Sequence, residues 1–176
     1  TDTLTGLYNR RYFEAHLNKL IAASQETRKT FAVLLLDVDK FKLVNDTYGH
    51  DVGDEVLKQL SQIIIKSVRS SDLAARIGGE EFVVLLPETN RNAAYDLADR
   101  IRANIASTPF TINHPEKEIM KTVSVGVSEI NQQGDTPADL VKRADKGLYQ
   151  AKNSGRNKVL PMPEVSQPQP RVDTGF

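Results

Sequence analysis

Two rhythms of apolar residues alternate along the chain. After Asn9, a residue able to cap a helix, Tyr12, Phe13, Leu17, Leu20 and Ile21 return at helical spacing until the polar run 24–29. Residues 31–36 form an unbroken apolar run of strand length, the pattern of a strand buried on both faces, and Asp37 and Asp39 follow at its end. Residues 40–54 crowd polar, aromatic and glycine side chains into a short connection. From Asp51 as a cap, Val52, Val56, Leu57, Leu60, Ile63, Ile64 and Val68 then predict an amphipathic helix ending near Arg69. Residues 73–77 and 82–86 read as the strands of a hairpin, closed by Pro87. A further helix is predicted over 92–108, with Ala94, Leu97, Ala98, Ile101 and Ile105 on one face.

Residues 109–117 read as a loop, and the alternation of small polar residues with valine over 120–127 as a strand. Thr136 followed by Pro137 is a helix start, Leu140, Val141, Ala144, Leu148 and Tyr149 carry that helix to about Asn153, and Gly155 stops it. Val159 and Leu160 form a short last strand. Residues 161–176, with four prolines and few large apolar side chains, are expected to be a disordered tail, which leaves 1–160 as one domain. Without the first helix, the order is strand, helix with a short helical piece before it, hairpin, helix, strand, helix. That order resembles a ferredoxin-like split arrangement, an α+β fold whose mostly antiparallel sheet carries helices on one side. The tight central hairpin disfavours an alternating parallel α/β fold.

Composition narrows the function classes. The 176 residues hold 23 basic and 23 acidic side chains, so no global basic field invites a nucleic-acid backbone. There is no cysteine, no apolar run near the ~18 residues of a membrane span and no signal-peptide pattern, so the segment is expected to be cytoplasmic and to make no membrane contact, although a parent chain could be anchored. The chain begins Thr1–Asp2–Thr3–Leu4, without an initiator Met and directly in patterned sequence. It therefore reads as a domain excised from a longer protein whose regulatory part lies elsewhere.

The candidate chemistry lies at the hairpin tip, Gly78–Gly79–Glu80–Glu81. Glycine permits positive φ and close approach of a ligand to the backbone, and adjacent glutamates repel one another unless a cation or donors sit between them. Asp37 and Asp39 add two carboxylates at the carboxyl end of a central strand, where open α/β sheets place ligands. Clustered hard oxygen ligands suit Mg²⁺ or Mn²⁺, and Mg²⁺ commonly reaches proteins through one or two carboxylates plus substrate phosphates. Phosphoryl or nucleotidyl transfer follows, with two ions activating a hydroxyl and neutralising a leaving pyrophosphate. Lys40, Lys42, Lys152 and Arg156 are the available phosphate complements. Asn45 with Asp54, an amide beside a carboxylate, suits the donor edge of guanine. Each element also has a plainer reading: Asp37 and Asp39 as turn caps, Lys152 and Arg156 as answers to a helix dipole, Asn45 and Asp54 as ordinary caps.

Taken together, the motifs resemble the GGDEF domain, the catalytic module of diguanylate cyclases, here in its GGEEF form with a nucleotidyl-cyclase-like sheet surrounded by helices. The resemblance runs from Asp2 to about Val159. It rests on DTLTGLYNRR at 2–11, DVDKFK at 37–42, NDTYGH at 45–50, Gly53–Asp54, RIGGEEF at 76–82, RADKGLYQAK at 143–152 and Gly155–Arg156–Asn157. It implies a transient homodimer in which each copy holds one GTP, and the two are joined into cyclic di-GMP with release of pyrophosphate. It further implies that Asp37, Glu80 and the Val38 carbonyl bind two Mg²⁺ (or Mn²⁺) per site, that Glu81 takes part in catalysis, and that Gly78 and Gly79 bring the hairpin against the phosphates. Asn45, Asp54 and Leu57 would hold guanine, and Phe41, Lys42, Lys152 and Arg156 the triphosphate. Arg69–Ser70–Ser71–Asp72 matches the family's RxxD inhibitory site, where product binds, with Arg100 as a second contact and Arg91 and Arg102 as competitors. Its plainer reading is a helix-end Arg with a cap Asp. Gly147 stands where the family usually has Ala, an expected loss of about 1 kcal/mol of helix propensity. The alternative function is a catalytically inactive GGDEF module that binds GTP or cyclic di-GMP as a regulatory domain.

Overall fold

A computed structural model describes residues 1–113 and 115–163. Helix α1 (Arg10–Thr27) is capped by Asn9, whose side chain accepts from the Tyr12 N–H. Strand β1 (Phe31–Val38) is buried along its whole length. The helices α2 (Phe41–Tyr48) and α3 (His50–Ser67) follow, separated by Gly49. Gly49, at φ 91, caps α3 in place of the expected Asp51, which sits inside the first turn. Strands β2 (Leu73–Arg76) and β3 (Glu81–Pro87) make the hairpin, and α4 (Arg91–Ser107) starts from an Asn90 cap. Strand β6 (Val123–Glu129), helix α5 (Pro137–Asn153) and the two-residue strand β7 (Val159–Leu160) complete the domain. At the start of α5, Thr136 and Asp139 form a reciprocal capping box.

Between α4 and β6 the expected loop is a second hairpin, β4 (Phe110–Asn113) with β5 (Glu116–Ile119). Two buried residues, Phe110 and Ile112, hold it to the core, and Gln59 on α3 both donates to and accepts from the Thr111 backbone. A four-residue strand with only two inward side chains leaves too little pattern to distinguish it from a loop.

The main sheet has the order β2-β3-β1-β6-β7, antiparallel except for the β6–β7 pair, so the mostly antiparallel α+β expectation holds. Helices cover both faces. Leu34, Leu36, Val84 and Leu86 pack with α2, α3 and α4, whereas Val33, Leu35, Val83 and Leu85 pack with α1 and α5. The core helices therefore do not share one side, because the polar face of α5 leaves Leu140, Ala144 and Leu148 for the far side of the sheet.

Gly147 has a packing reason. A Cβ there would lie 2.4 Å from the Leu160 carbonyl oxygen, so glycine lets the last strand run against α5. Just beyond it, Tyr95 Oη donates to Met162 Sδ and Arg91 Nη2 to the Met162 carbonyl, so Met162 lies on α4. The rest of the expected tail, from residue 164, lies outside the described residues.

Candidate active site

The register of β1 against β3 sets Asp37 opposite Glu81, which puts both side chains on the α1/α5 face of the sheet. The hairpin tip is then tied to the end of β1, the Val38 N–H donating to the Glu80 carbonyl at 3.2 Å. Three carboxylates thus meet at one sheet end. Asp37 is 4% exposed, and Lys152 reaches it from α5 with Nζ 2.6 Å from Oδ2. Burial nevertheless keeps the Asp37 carboxyl above its usual range, with repulsion from Glu81 and Asp39 opposing the Lys152 contribution. Burial, followed by the Asp37 charge, raises Glu80 in the same way. These acids are short of positive charge.

Asp39 belongs elsewhere. Its carboxylate accepts from Thr122 Oγ1 (2.7 Å), Ser124 Oγ (2.6 Å) and the Asn157 N–H (3.0 Å), fastening the end of β1 to β6 and to the turn after α5. Lys40 turns the chain into α2 at φ 52, and Arg156 and Asn157 turn it after α5 at φ 62 and 46. Lys42 is exposed and pairs with Asp46 at 3.2 Å. Phe41 and Leu57 are buried in the core beneath α2 and α3.

The tip glycines do not serve the turn as expected, since neither Gly78 nor Gly79 has a left-handed φ. A Cβ on Gly78 would come 2.8 Å from Glu81 Oε2, whereas a Cβ on Gly79 would meet nothing within 4 Å. Nothing in the fold itself requires glycine at 79, and the space beside it is open to a ligand. The tip is held from behind by Arg76, whose guanidinium donates to the Gly78 carbonyl (3.2 Å) and the Gly79 carbonyl (3.1 and 2.8 Å) and pairs with Asp2 at 3.3 Å. Burial pushes the Asp2 carboxyl up, but hydrogen bonds from Thr5 and the Arg76 charge outweigh it and hold it below its usual value. Sequence reasoning gave Arg76 no role. Its position two residues before the glycines was the only signal, since its partner Asp2 lies 74 residues away.

On the other side of β1, Asn45 Oδ1 is buried and has no hydrogen-bond partner among the described residues. It fits there only because residue 53 is glycine: a Cβ on Gly53 would lie 2.0 Å from Asn45 Oδ1. Asp54, the next residue, is exposed. A buried amide acceptor beside an exposed carboxylate suits a group that carries hydrogen-bond donors.

Residues 1–158 match the family described as "Diguanylate cyclase, GGDEF domain". The chain belongs to the GGDEF family. It is 48% identical over 160 residues to the response regulator PleD of Caulobacter vibrioides, covering 91% of this chain and 35% of PleD. This GGDEF chain therefore spans about a third of that relative. Among solved structures, it is similar to the GGDEF domain of DgcB from Caulobacter crescentus in complex with c-di-GMP (TM-score 0.87, 34% identity, covering 90% of this chain and 93% of that one). It is also similar to the active GGEEF domain of a diguanylate cyclase from Vibrio cholerae (TM-score 0.80, 35% identity, covering 87% and 96%).

Among the described residues, no three His, Asp or Glu side chains form a ready metal cage, and no helix is long and apolar enough to cross a membrane. Asp37 and Glu80 are nonetheless a hard-oxygen pair short of positive charge, which fits a divalent cation completed by phosphate and water. In the GGDEF domain's RxxD segment, the Arg69 guanidinium and N–H both engage Asp72 (2.9 and 2.8 Å), and Arg69 also donates to the Pro87 carbonyl and Thr89 Oγ1. Arg100 Nη2 donates to the Ser67 carbonyl (3.2 Å), which brings it beside this segment, whereas Arg102 pairs with Asp99 and Arg91 reaches Met162.

Proposed function

We propose that the domain is a diguanylate cyclase, joining two GTP into cyclic di-GMP with release of two pyrophosphates at a homodimer interface. The convergence of Asp37, Glu80, Glu81 and Lys152 on the end of β1, beside the open space at Gly79, is the observation that carries this reading. Asp37 and Glu80, with the Val38 carbonyl, would hold the two Mg²⁺ (or Mn²⁺) that neutralise phosphate charge and activate the attacking hydroxyl.

The protein's own groups do the rest. The N-terminal amides of α2 at Phe41 and Lys42 receive phosphate oxygens, and Lys152 and Arg156 bring cationic charge to the triphosphate. Asn45 and Asp54 read guanine, with Leu57 beneath the base. Gly78 and Gly79 let the hairpin backbone close on the phosphates, and Glu81, opposite Asp37 in the β1–β3 register, takes part in catalysis as the group that would draw the proton from the incoming 3′-hydroxyl. Each domain carries one such set, so the attacking hydroxyl comes from the GTP of a second copy. Product binding at Arg69, Asp72 and Arg100 holds the domains in an unproductive arrangement.

Incubation with GTP and Mg²⁺, with product identified by mass, tests the reaction. The expected result is cyclic di-GMP plus pyrophosphate, abolished in Glu80→Ala with the fold retained. No turnover at high protein concentration or in forced dimers overturns it. GTP binding measured alongside separates that outcome from loss of the site.

A further inference from the structure

The start of the chain carries an aromatic ladder that the cyclase reading does not use. The rings of Tyr8 and Tyr12 stack with centroids 4.1 Å apart and planes 9° from parallel, and His16 continues the series at 6.2 Å, again at 9°. Tyr8 is 43% exposed and Tyr12 45%, so this is no core contact. Tyr8 is nevertheless fixed. Its N–H donates to the Ala74 carbonyl and its own carbonyl accepts from the Arg76 N–H, so the residue pairs like a strand with the edge of β2. The ring is therefore presented by a rigid backbone and braced by Tyr12.

Tyr8, but not Tyr12, also walls a cavity of about 430 Å³ whose other sides include Gly6, Ile65, Val68, Arg69 and Asp72. The volume is that of a small-ligand site. Its lining combines two chemistries: an aromatic ring with two aliphatic side chains, and the half-exposed Arg69 guanidinium of the RxxD segment. A flat heterocycle with an attached anion suits both, because its face stacks on Tyr8 while its phosphate meets Arg69, whose guanidinium is held by the buried Asp72 carboxylate. A purine nucleotide has this shape, whereas an aliphatic or peptide ligand leaves the ring face or the charged pair unused.

We infer that one purine base of the inhibiting cyclic dinucleotide stacks on Tyr8, lengthening the Tyr8–Tyr12–His16 ladder by a fourth ring. The inference rests on the RxxD reading and adds a specificity-determining residue to it. Base–aromatic stacking contributes roughly 1–3 kcal/mol, so its loss weakens binding about tenfold.

The test is calorimetric titration of cyclic di-GMP into the full chain and into Tyr8→Leu, Tyr8→Phe and Arg69→Ala variants. Tyr8→Leu is expected to weaken binding about tenfold and Tyr8→Phe to bind like the parent chain. Normal binding by Tyr8→Leu together with weakened binding by Arg69→Ala overturns the stacking and leaves the RxxD site standing. Normal binding by Arg69→Ala, or no binding by the parent chain, removes the RxxD reading and the inference with it. Fluorescence gives an independent arm, because the protein has five tyrosines and no tryptophan. Ligand is expected to quench the parent emission and to lose that quenching in Tyr8→Phe; equal quenching in the two overturns the inference even if Tyr8→Leu fails to fold.

Discussion

Lys152 Nζ lies 2.6 Å from Asp37 Oδ2, an ion pair between residues 115 positions apart that closes α5 onto the end of the central strand. Asp37 remains above its usual carboxyl range in spite of that partner, because burial outweighs it. The pair is thus a partial answer to an acidic site, and a divalent cation with a triphosphate can complete it. Mg²⁺ with a non-cyclisable GTP analogue at a hundred times its Kd should raise the melting temperature by roughly 5–10 °C. Asp37→Asn should remove most of that rise. Lys152→Met should weaken analogue binding about tenfold through loss of one phosphate contact. Scanning calorimetry with and without ligand checks all three.

Glu80 should limit the stability of the metal-free domain. Its folded pKa is raised above the ordinary 4.5, so the folded chain binds its proton more tightly than the unfolded chain does. The resulting destabilisation is fully present above the folded pKa and disappears as pH falls below 4.5. Glu80→Gln should therefore melt roughly 1–3 °C higher than the parent chain at neutral pH, with the difference vanishing in mild acid, while turnover is lost. Paired melting curves across pH would refute this if the variant melted lower at pH 7.

Gly53→Ala separates substrate recognition from folding. Alanine improves helix propensity by about 1 kcal/mol, but its Cβ would come 2.0 Å from Asn45 Oδ1 and 3.0 Å from Phe41 Cζ. The Asn45 side chain must swing away, so the melting temperature should change little while KM for GTP rises about tenfold. Steady-state kinetics with GTP, alongside melting, decides between this and a purely structural glycine.

Arg76 should matter to rate more than to fold. Its guanidinium grips both tip carbonyls and the Asp2 carboxylate. Lysine keeps the charge but cannot make these contacts together. Arg76→Lys should lower kcat about tenfold with a normal circular dichroism spectrum, through a looser Gly78–Glu80 tip. An unchanged kcat would show that the tip needs no support from behind.

By itself the sequence determined the elements with strong local signals. The unbroken 31–36 run, the Asn9 cap, the Thr136–Pro137 start and the close of α5 at Asn153 all match the structure, because periodicity and capping act within a few residues. It also pointed to the acidic tip and to Asp37, since glycine and clustered carboxylate have little place in an ordinary hairpin. Tertiary structure alone decided the rest. Asp37 and Asp39 look equivalent in sequence, yet packing gives Asp39 to Thr122, Ser124 and Asn157 as a clamp and leaves Asp37 beside the hairpin tip with Lys152. The same holds for the grip of Arg76 on the tip, the dependence of Asn45 on Gly53 and the β4–β5 hairpin held down by Phe110 and Ile112. Each of these rests on groups brought together only when the chain is packed, where burial and a single ångström of clearance outweigh any local preference.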